Sequence, residues 1–157
     1  MGLPVIIFMR LKALDNPWQT HQWVVDKVEP DLGEYQDPTQ LEFHIGPDRI
    51  TGHLRDPSLK DDWYFKGFNV NLYLDESEGY YLNVSSPEPS WFVMWRMIES
   101  DAHPLGEIAI PQRITLSYNE AGRLLDGGEQ VDRVLLDKEL LDSVKDYVEE
   151  YYRPEPK

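Results

Sequence analysis

The strongest constraint on the fold is an unbroken apolar run near the start of the chain, VIIFM at residues 5–9. Such a run cannot face water on either side, and it is too short for a buried helix, so it predicts a central β-strand. Beyond it the pattern alternates, with apolar Met9 and Leu11 on one face and basic residues on the other. One face of the sheet is therefore expected to become polar towards this end of the strand.

A turn and a second strand are predicted directly after the first strand. The dipeptide Asn-Pro at residues 16–17 breaks the run, because asparagine readily opens a turn and proline presets the backbone of its second position. A strand is then predicted at residues 22–28, with Trp23 and Val28 on opposite faces. Trp18 and Trp23 are expected either to close the end of a small core, the usual fate of tryptophan, or to form an exposed aromatic contact surface.

Further short strands are predicted along the chain, separated by loops rich in proline, glycine and aspartate. They lie at residues 41–45, 50–54, 63–68, 70–74, 80–84, 91–98, 108–116 and 131–136. A turn is expected at residues 46–48, and DESEG at residues 75–79 is predicted to be a hairpin loop. Gly67 indicates a bulge or bend, and Pro111 indicates an edge position or a kink.

Two helices are predicted near the C-terminus. Ser117 and Glu120 fit a capping box, in which the serine accepts from a backbone amide and the glutamate reaches back. The helix is expected to run over residues 118–126 and to end at the glycine pair at residues 127–128. Asp137 fits the N-cap of a last helix, whose apolar residues recur at helical spacing.

Strands in succession followed by helices predict an α+β domain, with a largely antiparallel, curved or partly closed β-sheet packed by the two C-terminal helices. A doubly wound α/β fold is disfavoured because helical signals are missing between the early strands. With 157 residues the chain is long enough to form a core without disulfides, and residues 1–152 are expected to form a single globular domain. Residues 153–157 are predicted to be a C-terminal tail.

The charge of the chain disfavours several kinds of partner. Its formal net charge is −14 and its isoelectric point is about 4.5, so a polyanion would be repelled. Nucleic acid and anionic membrane are therefore not expected as partners, whereas a basic patch on another protein is. The sequence has no cysteine, no signal-peptide pattern and no apolar run of membrane length, which predicts a cytoplasmic protein.

The sequence carries no recognisable reaction centre. Its four histidines lack the spacing of metal ligands and are expected to be solvated loop residues: His21, His44, His53 and His103. Serines lie in no nucleophile pattern, and glycines lie in no phosphate-binding loop. No catalytic residue, cofactor or metal is predicted, and an enzyme is the less favoured interpretation. A pair of carboxylates brought together from distant segments stays open as an acid–base centre.

Aromatic residues are the most distinctive feature that remains. Five tryptophans and nine tyrosines occur, many of them between residues 63 and 95. Most are expected to lie in the core, but any exposed subset would form an apolar patch rimmed by acids, which is typical of protein-contact surfaces. Trp18 and Trp63, flanked by polar loop residues, are predicted to be partly exposed and to contact a partner protein.

The motifs of the opening segment, an N-P-W-x(4)-W pattern after an apolar strand, resemble those of a proteobacterial family of unknown function. They comprise Arg10, the Asn-Pro-Trp turn at residues 16–18 and the second tryptophan, Trp23. The resemblance continues through S-x-x-E-A at residues 117–121, L-D-x-G-E at residues 125–129 and the acidic end of the last predicted helix. It therefore covers nearly the whole chain.

The resemblance implies an accessory role, because genes of this family often lie near those for formate dehydrogenase and for handling of the molybdenum cofactor. Some members carry a label of molybdopterin-guanine dinucleotide synthesis. That activity would require a glycine-rich nucleotide loop, whereas VIIF at residues 5–8 runs directly into Met-Arg-Leu. The expected function is a non-enzymatic protein that binds a partner, a molybdenum-dependent formate dehydrogenase during its assembly. The alternative is a small-ligand-binding domain or a hydrolase that uses a pocket in the curved sheet.

Overall fold

The computed structural model describes residues 2–36, 38–45 and 48–154. Within these residues the chain forms eight strands, β1 to β8: Leu3–Ala13, His21–Pro30, Leu41–Ile45, Asp48–Asp56, Leu59–Val70, Ser90–Glu99, Glu107–Thr115 and Gln130–Leu135. It also forms three α-helices, α1 to α3, and a short 3₁₀ turn before α1. The helices are Ser77–Val84, Tyr118–Asp126 and Lys138–Tyr151, and the 3₁₀ turn is Leu74–Glu76. The α+β class predicted from the sequence is therefore confirmed.

The strands form two antiparallel sheets. The first sheet has the order β2-β1-β5-β4-β3, and the second has the order β7-β6-β8. The five-stranded sheet is partly curled and not closed, in agreement with the predicted curved or partly closed sheet. The prediction of two packing helices is incomplete, because α1 joins α2 and α3 in the described part of the chain.

β1 is the central strand that the apolar run predicts, because it pairs with β2 on one side and with β5 on the other. Residues 5–9 are buried throughout. Farther along the strand Leu11 is buried, whereas Arg10 and Lys12 are exposed. The predicted change from a strand buried on both faces to one with a polar face is confirmed.

A bulge in β2 changes which face its residues occupy. The register of β1 and β2 shifts between Phe8 and Met9, which leaves Asp26 as an extra residue in β2. Val28 consequently packs against the same core as Trp23. The prediction that placed these two side chains on opposite faces is wrong, because strict alternation fails across a bulge.

Gly67 forms the predicted bulge in β5. The register between β1 and β5 shifts between Val5 and Ile7, and Gly67 has a φ of +105°, in the region that favours glycine. A Cβ atom at this position would overlap the carbonyl oxygen of Arg49 on the neighbouring strand β4. The bulge therefore depends on the absence of a side chain.

Pro111 lies in β7, which is an edge strand of the three-stranded sheet. The register of β6 and β7 shifts between Met94 and Trp95, beside this proline. The predicted edge position is confirmed, and it removes the need for the backbone N–H that proline lacks.

Residues 77–84 form helix α1, where the sequence predicted part of a hairpin loop and a returning strand. This prediction is wrong because long-range contacts stabilise the helix. Asn83 is fully buried and donates to the carbonyl oxygens of Ser90 at 2.8 Å and Leu116 at 2.9 Å. It also accepts from the Ser90 amide at 2.9 Å. The strand predicted at residues 70–74 is likewise replaced by the end of β5 and the 3₁₀ turn.

Both predicted C-terminal helices begin at the expected caps. Ser117 Oγ accepts from the Glu120 amide at 3.0 Å, and Asp137 Oδ1 accepts from the Leu140 amide at 2.7 Å. The capping box is only half formed, because the Glu120 carboxylate accepts from Arg113 at 3.0 Å. α2 ends at the predicted glycine pair, of which the second has a φ of +85°.

Two predictions fall partly outside the described residues. Residues 46 and 47 of the predicted turn lie outside them, and Asp48 is the first residue of β4. Residues 155–157 of the predicted tail also lie outside them. Arg153 and Pro154 follow α3 without regular structure.

The main core lies between the two sheets and helices α1 and α3. A second, smaller cluster of Ile6, Phe8 and Tyr64 lies on the opposite face of the five-stranded sheet, with Tyr35 packed against it. The two sheets are linked where the Val25 amide donates to the Asp132 carboxylate at 3.0 Å. None of the helices in the described part of the chain has the length and apolar character needed to span a bilayer.

Candidate protein-contact face

Trp18 lies on the loop between β1 and β2 and is 90% exposed. The loop is held by a hydrogen bond from the Trp18 amide to Asn16 Oδ1 at 2.8 Å and by one from the Leu14 amide to the Thr20 carbonyl at 2.8 Å. The expectation that Trp18 helps to close the core is therefore wrong, and its predicted exposure is confirmed. Its role as a contact residue stays a prediction, and Trp23, which is buried, is the tryptophan that closes the core here.

Trp63 is only 1% exposed, so the prediction that it would be partly exposed is wrong. The residues before it, predicted to be a loop, belong to β5 and carry the strand alternation through this position. Trp63 thus lies between Met9 of β1 and Leu54 of β4. Its indole N–H donates to the Lys60 carbonyl at 2.9 Å, which satisfies the polar group of this buried ring.

The exposed aromatic residues are concentrated elsewhere, on the surface formed by the 3₁₀ turn, α1 and α3. We call this surface the α1–α3 face. Its large exposed side chains are Tyr73, Leu74, Tyr81, Leu82 and Tyr151. Leu74 is 67% exposed and Tyr73 is 57% exposed, which leaves much of their apolar area in water.

Ring contacts connect the two helices of the α1–α3 face. Tyr81 of α1 stacks on Tyr152, which follows α3, with ring centroids 4.8 Å apart. Tyr147 contacts Tyr151 at 4.7 Å within α3 and contacts the buried Tyr80 of α1 at 5.8 Å. The exposed tyrosines of the two helices therefore rest on a layer of aromatic rings.

Tyr80 anchors this layer. Its hydroxyl oxygen accepts from the Tyr73 amide at 3.0 Å, which fixes the segment that leads into the 3₁₀ turn. Burial raises the pKa of Tyr80 to about 12, and the negative charge of Glu76 adds to this effect. The ring is thus held in its neutral form beneath the α1–α3 face.

Exposed acids outnumber exposed bases beside the exposed aromatic residues, where the bases are Lys145 and Arg153. The exposed acids of the 3₁₀ turn, α1 and the second half of α3 are Asp75, Glu78, Asp146, Glu149 and Glu150. A further acid, Glu76, is half-buried and forms an ion pair with Arg123 of α2 while also accepting from Ser117 Oγ at 3.2 Å. The α1–α3 face therefore combines apolar area with a negative rim.

An apolar crevice of about 390 Å³ opens beside the first half of α3. Its apolar lining comes from the start of β1, the end of β5, the segments after β5 and β7, and α3: Leu3, Val70, Leu72, Leu116, Leu140 and Val144. Asn71 and Ser143 are its polar lining residues. Its volume lies in the range of small-ligand pockets, so it has room for more than one apolar side chain of a partner.

A more polar cleft of about 320 Å³ lies on the other side of Val70 and Asn71. It brings together two carboxylates, Asp48 and Glu120, but the second is paired with Arg113 at 3.0 Å. The described residues that line the cleft include no histidine, serine or cysteine. The geometry thus offers hydrogen bonds to a polar ligand.

Two of the four histidines are buried, so the prediction that all four are solvated loop residues is wrong. His103 Nε2 lies 2.7 Å from Asp61 Oδ1, while its Nδ1 accepts from the Leu105 amide at 3.0 Å. His53 Nδ1 lies 3.0 Å from the Pro38 carbonyl oxygen, and its ring stacks on Tyr64. These contacts fix loops onto the five-stranded sheet. No group of three or more metal-ligating side chains occurs within residues 2–36, 38–45 and 48–154.

The fold and this face define an acidic α+β protein with an exposed aromatic surface. The chain belongs to the family described as Protein of unknown function (DUF3305), whose model matches residues 4–157. This confirms the expected membership of a family of unknown function. No curated protein matches the chain, and no solved structure matches it.

Sequence reasoning missed the α1–α3 face because it assigned residues 80–84 to a strand. One signal was present, since Tyr147 and Tyr151 are four residues apart in a predicted helix and therefore share a face. The partner tyrosines of α1 could be recognised only after the helix that carries them was known.

Proposed function

We propose that the protein is an accessory protein that binds another protein through the α1–α3 face. The observation that carries this proposal is the cluster of exposed tyrosine and leucine side chains on two packed helices. Tyrosines offer large contact area at a low cost in conformational entropy, and they are enriched at protein interfaces. The apolar crevice beside α3 would accept apolar side chains of the partner.

The chemistry of the α1–α3 face favours a partner with a basic surface. The rim of the face carries exposed carboxylates, and the whole chain has a net charge of −14. Opposite charges around an apolar contact increase the association rate and exclude partners of the wrong sign. We therefore expect lysine and arginine residues around an apolar anchor on the partner.

The resemblance of the opening motifs supports one specific partner, a molybdenum-dependent formate dehydrogenase during its assembly in the cytoplasm. An apolar docking face suits an accessory role better than catalysis. Co-purification from cells that express the oxidoreductase tests this assignment. If deletion of the gene affects neither maturation nor activity of the formate dehydrogenase, the specific partner is wrong.

The α1–α3 face itself is tested with variants that remove exposed leucine side chains. We expect Leu74→Ser combined with Leu82→Ser to lower partner capture at least tenfold, because both side chains are exposed on the face. The matched control is Leu125→Ser combined with Leu135→Ser, which changes two exposed leucines outside it. Equal capture by both double variants would place the contact elsewhere, and circular dichroism checks that each variant is folded.

The polar cleft supports a second candidate function, the binding of a small polar ligand. The observation that favours it is the convergence of Arg113, Glu120 and the buried Tyr80 hydroxyl on one space of about 320 Å³. Thermal-shift screening with polar metabolites tests this candidate. A ligand that stabilises the wild-type protein but not Arg113→Ala would support it, and the absence of any stabilising ligand would contradict it.

A further inference from the structure

The free edges of the two sheets differ in how they are protected. β2 and β8 lie against each other, and a carboxylate of β8 accepts from the Val25 amide of β2. β7 carries Pro111, and the side-chain amide of Gln112 donates to the Ile110 carbonyl at 3.2 Å. Such features are typical of edge strands that do not pair with another chain.

β3 is the edge strand that has neither a proline nor a bulge in the described part of the chain, although it is short and its outward Glu42 pairs with Arg49 of β4. It is the last strand of the five-stranded sheet, and it pairs with β4 residue for residue without a bulge. Its five residues, Leu41–Ile45, include no proline, no lysine and no charge on the inner face. The strand therefore presents a regular row of backbone groups that can pair with a further strand.

The residue pattern of β3 is complementary to itself. In an antiparallel pair centred on Phe43, Leu41 of one copy lies opposite Ile45 of the other, and Glu42 lies opposite His44. The apolar residues would extend the inner face of the sheet. On the outer face, His44 of each copy would lie beside the Glu42 carboxylate of the other, which within its own copy pairs with Arg49. The His44 side chain has no hydrogen-bond or ion-pair partner among the residues described for one copy.

We propose that two copies of the protein associate through their β3 strands to form one continuous ten-stranded antiparallel sheet. The contact is isologous, as two-fold symmetry requires, because the same strand serves both copies. Only five residues of each copy pair, so the dimer is expected to be reversible. This inference is independent of the partner-binding role, since β3 and the α1–α3 face belong to different parts of the chain.

Charge variants at the proposed interface test the register. His44→Glu places two like-charged pairs across the interface, and we expect the dissociation constant of the dimer to rise at least about tenfold. Adding Glu42→Lys to this variant restores opposite charges at both pairs and is expected to restore the dimer. His21→Glu is the matched control, because His21 is also an exposed histidine and lies in β2.

Sedimentation velocity over a range of protein concentrations measures these effects, and amide hydrogen exchange locates the contact. Exchange within residues 41–45 is expected to slow as the concentration rises. A protein that stays monomeric at millimolar concentration, or a dimer that His44→Glu does not weaken, would overturn the proposal. A monomer whose β3 amides become protected only when a different protein is added would also overturn it, since the edge would then serve that partner.

Discussion

Buried polar residues determine how the layers of this protein meet. Asn83 donates hydrogen bonds that join α1 to the start of β6 and to Leu116, directly after β7. His103 and His53 fix two loops onto the five-stranded sheet. Each of these side chains is buried and hydrogen-bonded, which is the condition under which a polar group can be accommodated in a core.

Replacement of Asn83 tests the importance of this arrangement. We expect Asn83→Ala to lower the free energy of unfolding by about 2 to 4 kcal/mol, because it leaves two carbonyl oxygens and one amide without their partner. Urea denaturation measures the change. Asn119→Ala is the control, since Asn119 makes one exposed hydrogen bond to Glu78 and its loss should cost less than about 1 kcal/mol.

A second prediction for single residues concerns Gly67 and Gly122, whose replacement by alanine should change the stability in opposite directions. We expect Gly67→Ala to destabilise the protein by more than about 1 kcal/mol, because the φ of +105° and the Arg49 carbonyl both oppose a Cβ atom. Gly122→Ala should stabilise it by up to about 1 kcal/mol, since this helical position has open space around it. Thermal melts compare the two, and equal midpoints would contradict the bulge geometry.

The ionisation of Tyr80 predicts a loss of stability at alkaline pH. Its pKa is raised from 10.0 to about 12 in the folded protein, so the unfolded chain loses this proton first as the pH rises. The stabilisation is fully present below pH 10 and decreases between pH 10 and about 12. Urea midpoints across this range should fall more steeply for the wild-type protein than for Tyr80→Phe. Parallel curves would show that another group is responsible.

Among the strands and helices, the sequence predicted those that are specified by residues within the element or at its ends. β1 follows from an apolar run, and α2 and α3 follow from Ser117 and Asp137 at their caps. α1 could not be predicted in this way, because no side chain caps its start and Asn83 finds its partners far along the chain. Trp63 was misplaced for a related reason, since the burial of β5 depends on strands on both sides of it.

In the candidate site, too, the features set by local sequence could be predicted and those set by distant contacts could not. The exposure of Trp18 could be predicted because it follows a local turn at Asn16 and Pro17. The α1–α3 face could not be predicted, because it requires Tyr81 of one helix to meet Tyr152 after another. The spacing of Tyr147 and Tyr151 shows that they share one face of α3, but it does not identify the residues that meet this face.

The cap of α2 gives a prediction at the scale of elements. Ser117 Oγ accepts from the Glu120 amide and donates to Glu76, so it joins the start of α2 to the segment before α1. We expect Ser117→Ala to lower the free energy of unfolding by about 1 to 2 kcal/mol. Ser143→Ala, at an exposed position inside α3, should change it by less than about 0.5 kcal/mol. Chemical denaturation compares both variants, and equal losses would contradict the capping role.

For the whole molecule, the net charge of −14 makes added salt act in opposite directions on folding and on binding. Self-repulsion destabilises the compact state, and the exposed ion pairs of the surface offset little of it. Raising the salt concentration from about 0.01 to 0.15 M shortens the screening length from about 30 to 8 Å, so the urea midpoint of the isolated protein should rise. Screening also weakens attraction to a basic partner, so the affinity measured by calorimetry should fall. An affinity that does not change with salt would mean that the acidic rim of the α1–α3 face takes no part in the contact.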